Sequence, residues 1–336
     1  MSEDLRRVRN TIRPGQSAAL VSKGVSFGTL ARRVNGTWDA SQVEGLPPQS
    51  LEASRTSVGP SLTIRPWRQS GTVSSLRDSA NDAFNQHLGI QTTERFGVGT
   101  DPDRDGVKNE MTKGDVTAVV AFQATLPVPG RVIPNDPAIE RAVLNGERLF
   151  AAIRCTSCHV PSLQLERNAW IFTEPSPAVS VARQPAVRSL RIDLTSSVLP
   201  QPRLTVSQDD PTVVHVPAYT DFKLHDITDP ADDTWKEALD LNHASPTPQF
   251  LQGNRRFLTK RLRGAANEPP YFHHGLFASL DQAVLAHSGE ALEQRRAFEK
   301  LSKNDQEAVL AFLQSLQVLP PGTTALVVDE HYRPKS

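Results

Sequence analysis

Residues 154–159 read RCTSCH and hold the only two cysteines of the 336-residue chain. Cys155 and Cys158 are separated by two residues, and His159 follows directly. This spacing is the attachment signature of c-type haem. Two thiols bond the vinyl groups on one edge of the porphyrin, and the next residue places an imidazole under the iron. The sequence therefore predicts one covalent haem c per chain, with His159 as the proximal iron ligand.

Two other uses of the cysteines stay open. One is a redox or structural disulfide, although a thioredoxin-like dithiol would follow a β-strand, and here a helical pattern precedes Cys155. The other is a structural zinc site, which needs four ligands, normally including a second Cys/His pair. The sequence has no third cysteine to contribute to such a pair. Haem attachment is therefore the favoured interpretation.

A second axial ligand is indicated by the stretch SLDQAVLAH, which ends at His287. Leu280, Ala283, Val284 and His287 recur at i, i+3, i+4 and i+7, so they share one face of a helix. An imidazole on an apolar face beside a haem suits the sixth coordination position of the iron. The alternative is a core histidine that hydrogen-bonds a carbonyl group.

Three aspartates near residue 100 resemble the start of a cation-binding loop. The stretch DPDRDGVKNEMT places Asp101, Asp103 and Asp105 at alternate positions before Gly106, as in an EF-hand loop. The twelfth position is Thr112 instead of the bidentate glutamate that calcium loops carry. The alternatives are therefore a calcium site and an acidic surface turn held by Asx-type hydrogen bonds.

Several helices must position these groups. Apolar spacing and cap residues predict helices over 74–90, 113–126, 135–152, 279–287 and 302–316. In the second of these, Asp115 is the expected N-cap, and Val119, Phe122 and Leu126 form the expected inner stripe. Many prolines lie between 125 and 250, so long irregular connections are expected there.

Composition and charge argue against several classes of partner. The 37 basic and 37 acidic residues give a formal net charge of zero. The overall charge therefore gives no reason to expect binding to nucleic acid or to an anionic membrane surface. No apolar run approaches the length of a transmembrane helix. The opening residues, MSEDLRRVRNTIRPGQ, lack the apolar region of a signal peptide. Either the protein is cytoplasmic, or its biological start lies elsewhere.

Three blocks together resemble the di-haem oxidoreductases, a thiol oxidoreductase-like family of peroxidase-related proteins that is similar to bacterial di-haem cytochrome c peroxidases and to MauG. The blocks are GERLFAAIRCTSCHVPSL (146–163), AYTDFKLHDI (218–227) and RFLTKRLRGAANEPPYFHHGLFASLDQAVLAHSGEA (256–291). In the peroxidases, a methionine at the end of the helix after the Pro-Tyr-Phe stretch is the sixth ligand. The resemblance places His287 at that position, which implies a bis-histidine haem of low potential.

Two further roles follow from the resemblance alone. The stretch RPWRQSGTVSSL (65–76) resembles the peroxidase segment whose tryptophan lies between the haems, which would make Trp67 an electron relay. His273 falls at the peroxidase histidine after Pro-Tyr-Phe, which implies a role in gating or in supporting the site. For both residues, simple packing is the alternative.

The family carries two Cys-x-x-Cys-His motifs, and this chain carries one. The motif present resembles the C-terminal, electron-transfer motif, whereas peroxide is reduced at the N-terminal haem of the peroxidases. Either a late start of the chain or a genuine mono-haem derivative would account for the difference. On both accounts, peroxidase activity of this polypeptide alone is in doubt.

The resulting fold prediction is a mainly α protein with cytochrome c-like domains. A loop-rich start over 1–60 precedes a remnant of the N-terminal domain over 61–132. The haem domain spans 133–322 with an insertion of loops and short strands at 160–256, and a tail covers 323–336.

The predicted function is electron transfer by a c-type cytochrome domain that exchanges electrons with a small redox protein or another electron donor or acceptor. The resemblance implies a periplasmic location, although the sequence shows no signal peptide. One alternative is an enzyme that reduces peroxide with its single haem. Another is a remnant that keeps the fold without redox function.

Overall fold

The computed structural model describes residues 1–52, 59–166, 170–174 and 190–335. These described residues are 33% helical and 19% strand, and they contain ten α-helices and five small sheets. The prediction of a mainly α protein is therefore wrong, and the described residues show no cytochrome c fold. The reason is that β-branched and proline-rich segments, which do not sustain helices, pair locally into two- and three-stranded sheets.

The first 52 residues form a helix on an antiparallel sheet, where the sequence predicts loops. The elements are α1 (Ser2–Thr11), β1 (Gln16–Ser22), β2 (Val25–Arg32), β3 (Trp38–Asp39) and α2 (Pro48–Leu51). Strands β1 and β2 form a hairpin whose turn residues, Lys23 and Gly24, have φ values of 54° and 78°. Two-residue hairpin turns of the primed type require such left-handed residues. The local turn therefore fixes the register of the sheet.

A buried cluster joins this N-terminal unit to distant parts of the chain. This N-terminal cluster contains Leu5, Ile12, Leu20, Val25, Phe27, Leu30, Leu46, Leu62, Ile64, Leu163 and Ala218. Two of its members, Leu163 and Ala218, come from segments near the cysteine motif, and Val160 and Phe222 pack against it. The N-terminal unit thus shares its core with the segments that follow and face the motif.

The next helices form a small group that packs around Val116 and Val120. They are α3 (Leu76–Leu88), α4 (Thr93–Phe96) and α5 (Lys113–Ala124), followed by β4 (Gly130–Val132). The N-cap of α5 is Thr112, in a capping box with Asp115, so the predicted cap was three residues too late. The predicted inner stripe was also wrong, since Phe122 is 66% exposed.

Helix α6 (Pro137–Ala152) leads directly into the cysteine motif. Asp136 caps it as predicted, because its carboxylate accepts hydrogen bonds from the amides of Ala138 and Ile139 at 2.7 and 3.1 Å. After the motif come short strands: β5 (Leu163–Glu166), β6 (Ile171–Glu174), β7 (Leu190–Asp193), β8 (Val213–Val216) and β9 (Leu224–Asp226). Strand β5 pairs with β8, and β6 pairs with β7, both antiparallel.

The last third completes the core around the motif. Its elements are α7 (Pro248–Leu251), β10 (Arg256–Leu258), α8 (Leu280–Ala286), α9 (Leu292–Glu299), α10 (Lys303–Ser315), β11 (Leu316–Gln317) and β12 (Val327–Val328). Helix α10 packs closely on α6, where a Cβ added to Gly146 would lie 1.8 Å from the carbonyl oxygen of Ala308. Leu149 and Phe150 of α6 and Phe312 of α10 share a buried cluster. No helix in the described ranges is long and apolar enough to cross a membrane.

Candidate functional site

The cysteine motif forms a tight turn immediately after α6. Residues Cys155–Ser157 make one turn of 3₁₀ helix, entered through Arg154 in the left-handed conformation (φ 65°). Both thiols are free. Burial, and then the neighbouring Cys158, raise the pKa of Cys155 to about 12. A thiol held protonated in apolar surroundings is a poor redox nucleophile, which disfavours the dithiol interpretation.

His159 is oriented by the backbone of the segment opposite. Its Nδ1 atom lies 3.1 Å from the carbonyl oxygen of Tyr219. Because a carbonyl group only accepts hydrogen bonds, Nδ1 carries the proton and donates it. The other ring nitrogen, Nε2, is then the atom with a free lone pair.

His287 is held in the same way at the end of α8. The Nδ1 atom of its ring donates to the carbonyl oxygen of Ala283, 2.7 Å away and one helical turn earlier. Leu280 and Val284 pack against the core cluster around Phe312, and Ala283 is buried. The apolar face predicted for this helix therefore turns inward and carries His287 with it.

The two imidazole rings face each other across a cavity. Their centroids are 6.4 Å apart, with an angle of 64° between the ring planes. Burial, and then the neighbouring His287, lower the pKa of His159 to about 4, and burial also lowers the pKa of His287. Both rings are therefore neutral near pH 7, which is the state in which imidazole binds a metal.

The cavity between them has a volume of about 540 Å³ and is mostly apolar. Cys155 and Cys158 line it together with both histidines, and Phe150, Leu280 and Leu313 contribute apolar surface. Cavities that bury cofactors commonly have volumes of about 300–1,000 Å³. Two free thiols, a neutral imidazole on each side and an apolar wall fit a covalently attached haem.

The charged side chains that line the cavity are mostly cationic. Besides His225, described below, they are Arg68, Lys260, Arg261, Arg295 and Glu268. Lys260 and Glu268 form an ion pair at 3.0 Å, and the nearest carboxylates to Arg68 and Arg295 lie at 3.7 Å. The cavity thus carries an excess of positive charge, which favours a ligand that bears carboxylate groups.

His225 also lines the cavity, although no pattern in the sequence distinguishes it from the other histidines that could serve as a second ligand. Its Nε2 atom lies 2.8 Å from Asp221 and its Nδ1 atom 2.7 Å from Glu290. Burial alone would lower the pKa of His225, but hydrogen bonds to Asp221, Cys158 and Glu290 raise it to about 11. Cys158, Asp221 and His225 have ligand atoms within 4.8 Å of one another. The ring is therefore a fixed imidazolium beside the second cysteine.

Of the two residues that the resemblance suggested, His273 lines the cavity and Trp67 does not. His273 stacks on Phe257 with centroids 4.1 Å apart and has a pKa lowered to about 4 by burial and by His274. Trp67 lies behind Arg261, whose guanidinium carbon is 5.1 Å from the centre of the indole ring.

The three aspartates form a separate surface cluster. The side chains of Asp101, Asp103 and Asp105 have carboxylate oxygens within 4.8 Å of one another. Asp101 accepts a hydrogen bond from the amide of Gly106 at 3.2 Å, and Asp105 from Val107 at 2.7 Å. The second of these bonds joins residues two apart and is the Asx-type bond expected of an acidic turn. Calcium at this loop is a prediction of the sequence that these contacts do not support.

One comparison with known proteins identifies the segment around the cavity. Residues 211–316 match the family described as "Di-haem oxidoreductase, putative peroxidase". The match supports a relationship between this part of the chain and that family. The match covers about a third of the chain and contains His225, His273 and His287, but not the cysteine motif. The family and the motif are therefore separate observations that both point to haem. No curated protein matches the chain.

Proposed function

We propose that this protein is a c-type cytochrome of the di-haem oxidoreductase family that transfers single electrons through one covalently bound haem. Cys155 and Cys158 form the thioether bonds, His159 is the proximal ligand of the iron, and His287 is the distal one. The haem, when bound, supplies the change between ferric and ferrous iron. The polypeptide supplies the attachment, the two ligands and a dry pocket.

The observation that carries this proposal is the facing pair of histidines. A metal–imidazole bond is about 2 Å long. The length of two such bonds plus the distance from each Nε2 atom to the centre of its own ring is close to the 6.4 Å that separates the two centroids. Each ring is already fixed by a backbone carbonyl through Nδ1. Such a hydrogen bond sets the tautomer of a metal-binding histidine and increases its basicity.

The cavity wall would influence the haem potential in two ways: its apolar groups exclude water, and it holds a fixed positive charge. Phe150, Leu280 and Leu313 surround the space with apolar groups, and His225 keeps one positive charge beside Cys158. Burial in such surroundings and nearby charge are two of the means by which a protein sets a haem potential. Two histidine ligands favour a lower potential than a histidine and a methionine.

Peroxide reduction by this haem is the weaker alternative. It needs an open coordination position, whereas His287 faces His159 across the cavity. The chain has cysteines for one attachment only, although the family is named for two haems. We therefore infer that the haem passes electrons to or from a second redox centre, carried by a small redox protein. We place this function in the periplasm, where bacterial c-type haem is attached.

Haem attachment is tested by expressing the full chain with export and c-type maturation. The pyridine haemochrome assay then measures haem per chain after denaturing electrophoresis has removed any haem that is not covalently bound. We expect one haem per wild-type chain and none in a Cys155→Ala, Cys158→Ala double variant. An unmodified wild-type chain would overturn the proposal, whereas haem with rapid peroxide turnover would favour the enzyme alternative.

A further inference from the structure

Arg261 combines a position on the cavity wall with a charge that no described residue neutralises directly. It lines the cavity and is partly buried. Burial lowers its pKa, and the only opposing influence among the described residues is the more distant charge of Glu268. Glu268 itself is paired with Lys260 at 3.0 Å. A partly buried guanidinium without its own counter-ion costs free energy unless a ligand provides one.

Trp67 fixes the orientation of this guanidinium. The guanidinium carbon of Arg261 lies over the indole ring, 5.1 Å from its centre, within the range of a cation–π contact. The loop that carries Trp67 is joined to the strand before Arg261, because the amide of Leu258 donates to the carbonyl oxygen of Gln69 at 2.7 Å. Trp67 and Val73 also form a β-bridge that closes this loop. Arg261 in the cavity wall is therefore held against a fixed indole ring that lies outside the lining.

We propose that Arg261 binds a propionate carboxylate of the haem and that Trp67 acts by positioning Arg261. This inference rests on the proposed function. A planar guanidinium matches a carboxylate through two parallel hydrogen bonds, and stacking on an aromatic ring leaves the hydrogen-bonding edge of the guanidinium free. Trp67 then has a positioning role, and the electron-relay role suggested by the resemblance is not required.

A buried arginine two residues away provides a matched control. Arg263 is partly buried, and burial followed by the neighbouring Arg261 lowers its pKa to about 10. In contrast to Arg261, it does not line the cavity. Arg263→Gln therefore removes a similar charge from the same segment without removing the proposed propionate contact.

The test compares Arg261→Gln, Arg261→Lys, Trp67→Leu and Arg263→Gln with the wild type, all haem-loaded and full length. The midpoint potential of each is measured by spectroelectrochemical titration from about pH 5 to about pH 8, a range just above the ordinary pKa of a carboxyl group. In the wild type, Arg261 holds the propionate ionised throughout, so the midpoint potential stays nearly constant. In Arg261→Gln, the midpoint potential at the upper end of this pH range should be lower than that of the wild type, because an uncompensated propionate anion favours ferric iron.

The potential of Arg261→Gln should then rise as the pH falls, because the unpaired propionate takes up a proton within the range. Arg261→Lys keeps the positive charge but lacks the planar guanidinium. Its midpoint potential should lie between those of the wild type and Arg261→Gln. Trp67→Leu should shift in the direction of Arg261→Gln, and Arg263→Gln should follow the wild type. If Arg261→Gln has the same potential and pH profile as Arg263→Gln, the inference fails while the proposed function stands. If the wild type carries no haem, both fail together.

Discussion

The rings of His159 and His287 face each other with their centroids 6.4 Å apart, although each ring is held by a different part of the chain. His159 is fixed through Tyr219, which lies within the insertion, and His287, at the end of helix α8, through Ala283 of that helix. The pair is therefore set before any ligand enters. A preorganised pair of ligands would reduce the cost of ordering the site on binding of the proposed haem.

Replacing His287 by alanine should change the coordination of the haem without preventing its attachment. The thioether bonds depend on Cys155 and Cys158, which the substitution leaves in place. We expect the absorption and electron paramagnetic resonance spectra to change from six-coordinate low-spin to high-spin. His331→Ala is the control, because that side chain is 66% exposed and lies outside the cavity. An unchanged low-spin spectrum in His287→Ala would exclude His287 as the ligand.

Replacing His225 by glutamine should destabilise the folded protein strongly. Asp221 is 2% exposed, and the substitution leaves its carboxylate buried without the imidazolium. Loss of one partner of a buried ion pair costs about 3 kcal/mol in the free energy of unfolding. Urea unfolding measures this difference. His243→Gln serves for comparison, since its pair with Asp240 is longer, at 3.6 Å, and more exposed. A cost below about 1 kcal/mol is expected there.

The stabilisation by His225 should also depend on pH in a defined direction. Its pKa in the folded protein is raised from 6.5 to about 11, so the folded state retains a proton that the unfolded chain releases. The contribution is complete below pH 6.5 and decreases as the pH rises toward about 11. The difference in unfolding free energy between wild type and His225→Gln should therefore narrow in alkaline buffer. A difference that widened instead would contradict the assignment of a buried imidazolium.

Replacing Gly146 by alanine should loosen the contact between α6 and α10. The added Cβ would lie 1.8 Å from the carbonyl oxygen of Ala308, so the helices must separate. Overpacking of this kind costs about 1–3 kcal/mol, even though alanine favours helix. Gly114→Ala in α5 is the matched control, because its nearest neighbour there would be 3.5 Å away. That change should leave the protein equally stable or slightly more so, by thermal and urea unfolding.

The elements nearest the cysteines could be predicted from the sequence because local rules determine them. The cap at Asp136 and the apolar face of Ala283 and Val284 each depend on residues within one or two helical turns. In α5, by contrast, Thr112 and Asp115 both suit a cap, and packing against α3 buries Val116 and Val120 instead of Phe122.

Contacts between distant segments could not be predicted. His225 and Glu290 are 65 residues apart, and no pattern in either segment indicates the other. Arg261 meets Trp67 because two irregular segments converge, which periodicity does not encode. The N-terminal sheet had a local signal in Lys23 and Gly24, but the glycine- and serine-rich surroundings favoured an interpretation as loop.

The shared N-terminal cluster has a consequence for how the chain matures. Helix α1 and the β1–β2 hairpin are synthesised before the cysteine motif and the insertion, yet their core is closed by Leu163 and Ala218. Since domains generally fold in the order of synthesis, the amino-terminal unit must wait, partly open, until the motif and the insertion have been made. Completion of that core draws in Val160 and Phe222. If the proposed thioether bonds form, the segment that carries them is therefore the same one whose next residues close the core of the amino-terminal unit.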